Sequence, residues 1–320
     1  MGSAPASTMP LAGYEAARHG LAHRIRAAAI LDVSGADTIP FLQGQLTQEM
    51  TGLAPGDARP VAGLTPKGKL LFVARAVALS DRVRLLAPAA LRTAMLDHLR
   101  RYVLASRVAI EDRSEAFVRV GLYGPEGARL SPPGGVERLP GEGEFSAELL
   151  VPADRQGDVE ALLRASGSEA LPGPTAEALR VEAGRPRFGT DMDASNLPDE
   201  AGLSEAISTT KGCYVGQEVV ARLRTYGRVN RRLVGFRFPE RAIPPGTPLR
   251  RSEEGGEPSR TEAGRVTSSV LSPAFGPIGL GYAFHDVPIG ATLRAVFSEG
   301  CLVPPPPREE SAIVTPLPFA

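Results

Sequence analysis

Tryptophan is missing from all 320 residues, and cysteine occurs only twice, as Cys213 and Cys301. Two isolated thiols make no disulfide framework, and they fit a reducing compartment. The histidines, His19, His23, His98 and His285, are scattered. With so few cysteines they give no zinc or cluster spacing. No apolar run approaches the ~18 residues needed to span a bilayer. A charge surplus is missing too, because 36 Lys and Arg balance 36 Asp and Glu. That argues against a general nucleic-acid or anionic-membrane binder, which carries a basic excess. The first residues are small and polar, without the basic-then-apolar pattern of a leader. They open Met-Gly, but Ala6 stands where a myristoylated chain has Ser or Thr. The expectation is a cytoplasmic protein with no membrane partner, no nucleic-acid partner and no metal site. Its oligomeric state is open, with a monomer favoured.

What is present is globular. Hydrophobic residues make up 42% and charged residues 22%, and the length exceeds what one core sustains, so two or three domains are expected.

The most informative stretch runs from Ser208 to Arg222 and holds one of the two thiols. Lys211 precedes Cys213 by two positions, and Gly212 and Gly216 bracket it. Glycines there free the backbone and leave space for a ligand. Val215, Val219 and Leu223 then recur at helical spacing, with Gln217, Glu218, Ala221 and Arg222 on other faces. Cys213 is therefore expected just ahead of a helix N-terminus. The helix dipole and Lys211 would both favour the thiolate, moving its pKa from roughly 8.5 toward 7 or below. The plainer alternative is a small buried cysteine in a tight loop.

Elsewhere the pattern reads as follows. Tyr14 to Arg26 is expected as an amphipathic helix and Ala28 to Val33 as a strand. Asp37 or Thr38 is the expected cap of the next helix, whose apolar side is Ile39, Leu42 and Leu46. Leu70 to Leu79 and Val83 to Leu86 form a hairpin about Ser80-Asp81-Arg82. Ala89 to Val103 is the clearest helix, with Leu91, Met95, Leu99 and Val103 in one stripe. Arg107 to Ile110 and Phe117 to Tyr123 are strands, and Asp158 to Ser166 is a helix. Thr175 is expected to cap a helix through Val181. Short strands with Gly and Pro turns fill the C-terminal third and suggest a small β-barrel, with Ile313 to Phe319 last. Val303 to Arg308 reads as a stiff polyproline spacer.

Four elements in order carry a family resemblance. They are Gly35-Ala36-Asp37 through Phe41-Leu42-Gln43-Gly44-Gln45-Leu46-Thr47; Arg180-Val181-Glu182-Ala183-Gly184 with Leu197-Pro198-Asp199-Glu200; Lys211-Gly212-Cys213-Tyr214-Val215-Gly216-Gln217-Glu218; and Gly264-Arg265-Val266-Thr267-Ser268 to Ser272-Pro273 with Gly279-Leu280-Gly281-Tyr282. This resembles the YgfZ-type folate-binding proteins, relatives of the glycine-cleavage T-protein, an aminomethyltransferase. The resemblance implies an α+β fold: a three-lobed ring of two ferredoxin-like lobes and a C-terminal β-barrel, with folate in the central channel. The expected boundaries are 14–115 with 179–230 returning to it, then 116–178, then the barrel at 231–320.

The same resemblance implies tetrahydrofolate or a one-carbon derivative as cofactor. It implies iron–sulfur client or assembly proteins as partners. Glu182 would accept the pterin's N–H groups as a charge-assisted pair. Its plain alternative is a surface glutamate at a helix C-terminus. Arg180, Tyr214, Gln217, Arg222 and Arg228 are the further expected cofactor-binding residues. Arg222 is equally readable as an i,i+4 ion-pair partner of Glu218, and Arg228 belongs to a basic turn that suits a folate tail or a solvated loop. Cys213 and Lys211 are the expected catalytic pair. The stretch Gly68 to Ala74 lacks the carboxylate that aminomethyltransferases carry there. Removing an acid–base group costs ~10²–10⁴-fold, so glycine cleavage is not expected. Ala28 and Ala176 stand where some members have the tryptophans that stack folate. Three functions follow: a folate-dependent factor in iron–sulfur cluster assembly or repair; a one-carbon transferase with a relocated acid such as Glu49 or Asp57; or a non-catalytic scaffold.

Overall fold

The computed structural model describes residues 11–104, 106–252, 258–297 and 308–319. Cys301 and most of the proline spacer lie outside these residues. The chain divides into two compact units. One comprises Glu15–Ala170 and Asp193–Gly227; the other comprises Met1–Tyr14, Leu171–Met192 and Arg228–Ala320.

The first unit is built on two sheets. After helix α1 (Tyr14–His19) come β1 (Ala22–Arg26) and β2 (Ala28–Ser34), then α2 (Thr38–Gln45). β3 (Ala58–Leu64), β4 (Leu70–Ala78) and β5 (Arg82–Pro88) lead to α3 (Arg92–Arg101) and β6 (Ala109–Asp112). β7 (Phe117–Tyr123), β8 (Glu137–Pro140), β9 (Ala147–Pro152), α4 (Gln156–Ala165) and β10 (Glu169–Ala170) follow. One sheet has the order β3-β4-β5-β2-β6, the other β10-β1-β7-β9-β8.

The β4–β5 hairpin is as expected, and Leu91, Met95 and Leu99 of the expected stripe are buried, but α3 ends at Arg101 and Val103 beyond it is half-buried. The segment from Tyr14 to Arg26 is not one helix. The helix stops at His19, where Gly20 donates to the Ala16 carbonyl at 3.0 Å and its own carbonyl accepts from Glu126 at 3.3 Å. Ala22–Arg26 is instead a strand between β7 and β10. Asp37 makes no cap hydrogen bond; its carboxylate takes the backbone N–H of Arg107 at 2.8 Å.

The sheets share apolar packing. Ala28, Ile30, Val77 and Leu86 of one meet Leu139 and Leu150 of the other. Ion pairs join them as well: Arg84 of β5 holds Asp32 at 2.6 Å and Glu137 of β8 at 2.7 Å.

The second unit contains α5 (Gly173–Glu182) and a closed barrel. α5 starts earlier than expected, with a proline in its first turn, and Thr175 donates its hydroxyl to the Ala12 carbonyl at 2.8 Å rather than capping the helix. The helix α6 (Gln217–Tyr226) belongs to the first unit. The barrel strands are β11 (Arg231–Arg237), β12 (Pro248–Ser252), β13 (Pro258–Ser272), β14 (Gly276–Phe284), β15 (Thr292–Phe297) and β16 (Arg308–Thr315). Their order is β11-β14-β13-β12-β15-β16. Val234, Phe236, Leu249, Val266, Leu293 and Val314 fill the interior. The last strand begins and ends earlier than expected; beyond it Phe319 donates to the Glu182 carbonyl at 3.0 Å.

Candidate functional site

The Cys213 loop is fastened to the C-terminal end of α2. Lys211 Nζ donates to the carbonyls of Gln43 at 2.8 Å, Leu46 at 2.7 Å and Gln48 at 2.8 Å. A cation there completes the unsatisfied carbonyls of a helix end and complements its dipole. Lys211 is only 6% exposed. Burial lowers its pKa to about 8, against the opposing field of Glu49. Val215 N–H donates to the Gly44 carbonyl at 3.1 Å, and Ser208 N–H to that of Thr47 at 3.0 Å. The expected catalytic partnership of Lys211 with the thiol is thus replaced by an anchoring role: all three ammonium donors go to carbonyl oxygens.

Two glycine turns interlock beside this anchor. Gly216 has φ +84°, and a Cβ there would lie 2.5 Å from the Thr65 carbonyl oxygen. Gly68 has φ +71°, and a Cβ there would lie 2.9 Å from Cβ of Val219. Only glycine fits either place without strain. α6 starts immediately after Gly216, so Cys213 precedes the helix as expected. Its thiol is free and exposed, which excludes the buried-cysteine alternative. Tyr214 is 8% exposed; its N–H donates to Gln217 Oε1 at 3.3 Å. The buried face of α6 differs from the expected stripe: Val220 is buried, whereas Val219 and Leu223 are half-buried.

Arg222 is exposed and forms no ion pair with Glu218 among the described residues. With Glu218, Val219, Leu223 and Gly227 it lines a surface hollow of about 420 Å³. Arg228 is exposed and belongs to the barrel unit.

Glu182 and Arg180 also lie in the barrel unit, at the end of α5. Glu182 is 3% exposed, so it is no surface residue. Its carboxylate accepts from Tyr14 Oη at 2.9 and 3.0 Å and from Ser272 Oγ at 2.6 Å. Arg180 pairs with Glu177 at 2.6 Å and Asp191 at 2.7 Å, and donates to Ser268 Oγ at 2.8 Å. The bonds to Ser268 and Ser272 of β13 tie the helix to its barrel. Burial opposes the Arg180 charge, but Glu177 and Asp191 prevail and raise its pKa.

Sequence reasoning passed over two polar side chains in the Cys213-bearing unit. Arg224 donates twice to Oδ1 of Asp199, at 2.9 and 2.6 Å, and leaves Oδ2 buried without a partner. Nδ2 of Asn196 is likewise buried and unpartnered. Asp199 stands close enough to Tyr214 to influence it electrostatically. The signal available for Asp199 was the Leu197-Pro198-Asp199-Glu200 element itself, read only as part of a motif, and Asn196 directly precedes it. Of the relocated acids, Glu49 binds the Thr51 N–H and hydroxyl, which hold its carboxyl below the usual range, and Asp57 caps Ala54 at 3.0 Å. β4 carries no carboxylate. Among the described residues no group of His, Cys, Asp and Glu is placed to hold a metal ion, and no helix is long and apolar enough to cross a membrane.

No family model matches the chain. Relatives do. An aminomethyltransferase of Rubrobacter xylanophilus is 31% identical over 290 residues, covering 80% of this chain and 76% of that one. A tRNA-modifying protein YgfZ of an Enterobacter species is 31% identical over 225 residues, covering 64% and 68%. Among solved structures, the glycine cleavage system aminomethyltransferase T of Bartonella henselae superposes with a TM-score of 0.83 at 22% identity, over 97% of this chain and 89% of that one. That superposition establishes the fold. With the sequence relatives and the Lys211–Glu218 signature, the chain belongs to the YgfZ-type family of aminomethyltransferase relatives.

Proposed function

We propose that the protein binds tetrahydrofolate or a one-carbon derivative and acts in iron–sulfur cluster assembly or repair, with Cys213 as its functional thiol. The observation that carries this reading is an exposed cysteine on a loop fixed by a buried lysine and two obligatory glycines. A fixed, accessible sulfur suits contact with a macromolecular client. One thiolate supplies one of the four ligands a cluster takes, so the client or an assembly protein provides the others.

Two unpartnered polar groups support a pterin as the ligand. Its amino-pyrimidinone edge offers both N–H donors and acceptors. Asp199 Oδ2 is a buried acceptor without a donor, and Asn196 Nδ2 a buried donor without an acceptor. We propose these two, with Tyr214, as the pterin-holding set, and Gln217 as the group that orients the loop. Glu182 is buried and already bonded to Tyr14 and Ser272, so its proposed part is support. Arg222, exposed in the same unit as Asp199, is proposed for the anionic tail, and Arg228, in the barrel unit, is given no part in it. When bound, the folate supplies a one-carbon carrier; the chain's part is to bind and orient it.

Glycine cleavage is disfavoured because β4 offers no carboxylate. The Enterobacter relative's name refers to tRNA modification; we propose that this chain acts without gripping RNA, supported by its balanced charge.

The test is calorimetric titration of the full chain with tetrahydrofolate, alongside Asp199→Asn and Glu182→Ala. The expected result is binding by the wild type and a loss of about tenfold or more in Asp199→Asn. Absence of binding by the wild type removes the folate half. Cys213→Ser should abolish support of an iron–sulfur client enzyme while leaving folate binding intact; full support by that variant removes the thiol half.

A further inference from the structure

One face of the β10-β1-β7-β9-β8 sheet concentrates arginine that the proposed function does not use. Arg24 and Arg26 lie two apart on β1, so they share a face. Arg26 is paired in register with Arg119 of β7, and Arg24 with Gly121. Gly121 in turn faces Glu148 of β9. Arg75 reaches in from β4 of the other sheet. Three of these guanidiniums converge on Glu148, which is 1% exposed. Arg119 donates to it at 2.6 and 2.7 Å, Arg26 at 3.0 Å and Arg75 at 3.5 Å. Glu144 adds a second negative charge, felt at Arg26. Four arginines against two glutamates leave two positive charges over.

This arrangement carries a cost that a purely structural network would avoid. Like charges directly opposed across strands destabilise a sheet. Arg26 registers it: burial first and Arg119 second lower its pKa, with Glu148 and Glu144 opposing. One carboxylate cannot neutralise three converging guanidiniums.

The cluster is open on one side. The Arg26 side chain is 34% exposed. Arg24 is half-buried and has no hydrogen bond or ion pair among the described residues. Arg26 lies 4.4 Å over the centroid of Phe145. That ring occupies the space above Gly121, where a Cβ would come within 2.5 Å of it. The glycine makes room for the ring, and the ring gives the cations a flat apolar wall. Low polarity around guanidinium groups strengthens their bonds to oxyanions.

We propose that this face binds a small doubly charged oxyanion, a phosphate group or a pair of carboxylates, with Arg24 and Arg26 as its accessible donors and Arg119 behind them. Glu148 holds Arg26 and Arg119 in place for it. Forked guanidinium donors match both chemistries. The site is independent of the folate reading.

The experiment is calorimetric titration of the full chain with inorganic phosphate and with glutarate, at ionic strength held constant with chloride. Saturable binding of at least one is expected. Arg24→Gln should weaken it by about tenfold with an unchanged melting temperature, since Arg24 gives up no internal bond. Arg26→Gln should weaken it at least as much. Tighter phosphate binding assigns a phosphate source, and tighter glutarate binding a carboxylate source. If neither anion binds beyond chloride, or Arg24→Gln binds both as the wild type does, the site is not there.

Discussion

Lys211 Nζ lies 2.7 Å from the Leu46 carbonyl oxygen, a partner 165 residues earlier in the chain. That single lysine joins the loop of Cys213 to the end of α2, and its environment makes the junction sensitive to pH. Its folded pKa is lowered to about 8, against about 10.4 in an unfolded chain. Below about 8 both states carry the proton, and the folded state bears the full burial cost. Between about 8 and 10.4 the unfolded chain binds more protons, so this group's contribution to stability rises with pH. Lys211→Met removes the titration and leaves carbonyls without donors, at a cost of about 1–3 kcal/mol near neutrality. In urea melts from pH 7 to 9.5, the wild type should gain stability relative to the variant. A difference that does not change with pH would show that Lys211 does not titrate in this range.

The glycines around Cys213 should separate cleanly. Gly216→Ala places a Cβ on the Thr65 carbonyl in a left-handed backbone, and a loss above about 1 kcal/mol is expected. Gly212 has no atom within 4 Å of a would-be Cβ. Gly212→Ala should stay within about 0.5 kcal/mol of the wild type. Equal losses in denaturant melts would contradict the interlocked turns.

These contrasts show what the sequence could carry. The β4–β5 hairpin and α3 were readable because their apolar periods are local: Leu91, Met95 and Leu99 recur every four residues and all three are buried. Ala22–Arg26 was not readable as a strand. Its partners on β7 lie far downstream, and its side chains are mostly half-buried, so no alternation marks it. Cys213 was legible as exposed and pre-helical from Gly212 and Gly216. The destination of Lys211 was not, because an ammonium beside a thiol in sequence is free to turn toward carbonyls that only the fold supplies. Glu182 stood out by motif, yet Tyr14 and Ser272, which occupy it, are distant in the chain.

Exposure of Cys213 makes a direct expectation. Iodoacetamide should alkylate it to completion in the native protein, read by peptide mass mapping, without denaturant. Cys213→Ser should melt within about 0.5 kcal/mol of the wild type, because no packing is lost at an exposed position. Labelling that appears only in urea would place the sulfur in the interior.

Glu182 and Tyr14 should behave as one unit. The phenol bonds both carboxylate oxygens, at 2.9 and 3.0 Å, in a site sealed from water. Hydrogen bonds to a buried charge contribute about 1.5–3 kcal/mol, and removing one partner leaves the other unsatisfied. Tyr14→Phe and Glu182→Gln should therefore each destabilise by about 1–3 kcal/mol. The double variant should lose less than the two together, by at least about 0.5 kcal/mol. Ser272→Ala removes the 2.6 Å bond to Oε1 and should couple to Glu182→Gln in the same sense. Strict additivity among the three, measured by denaturant unfolding, would mean that the carboxylate is not held by these hydroxyls, and would return Glu182 to candidacy as a ligand contact.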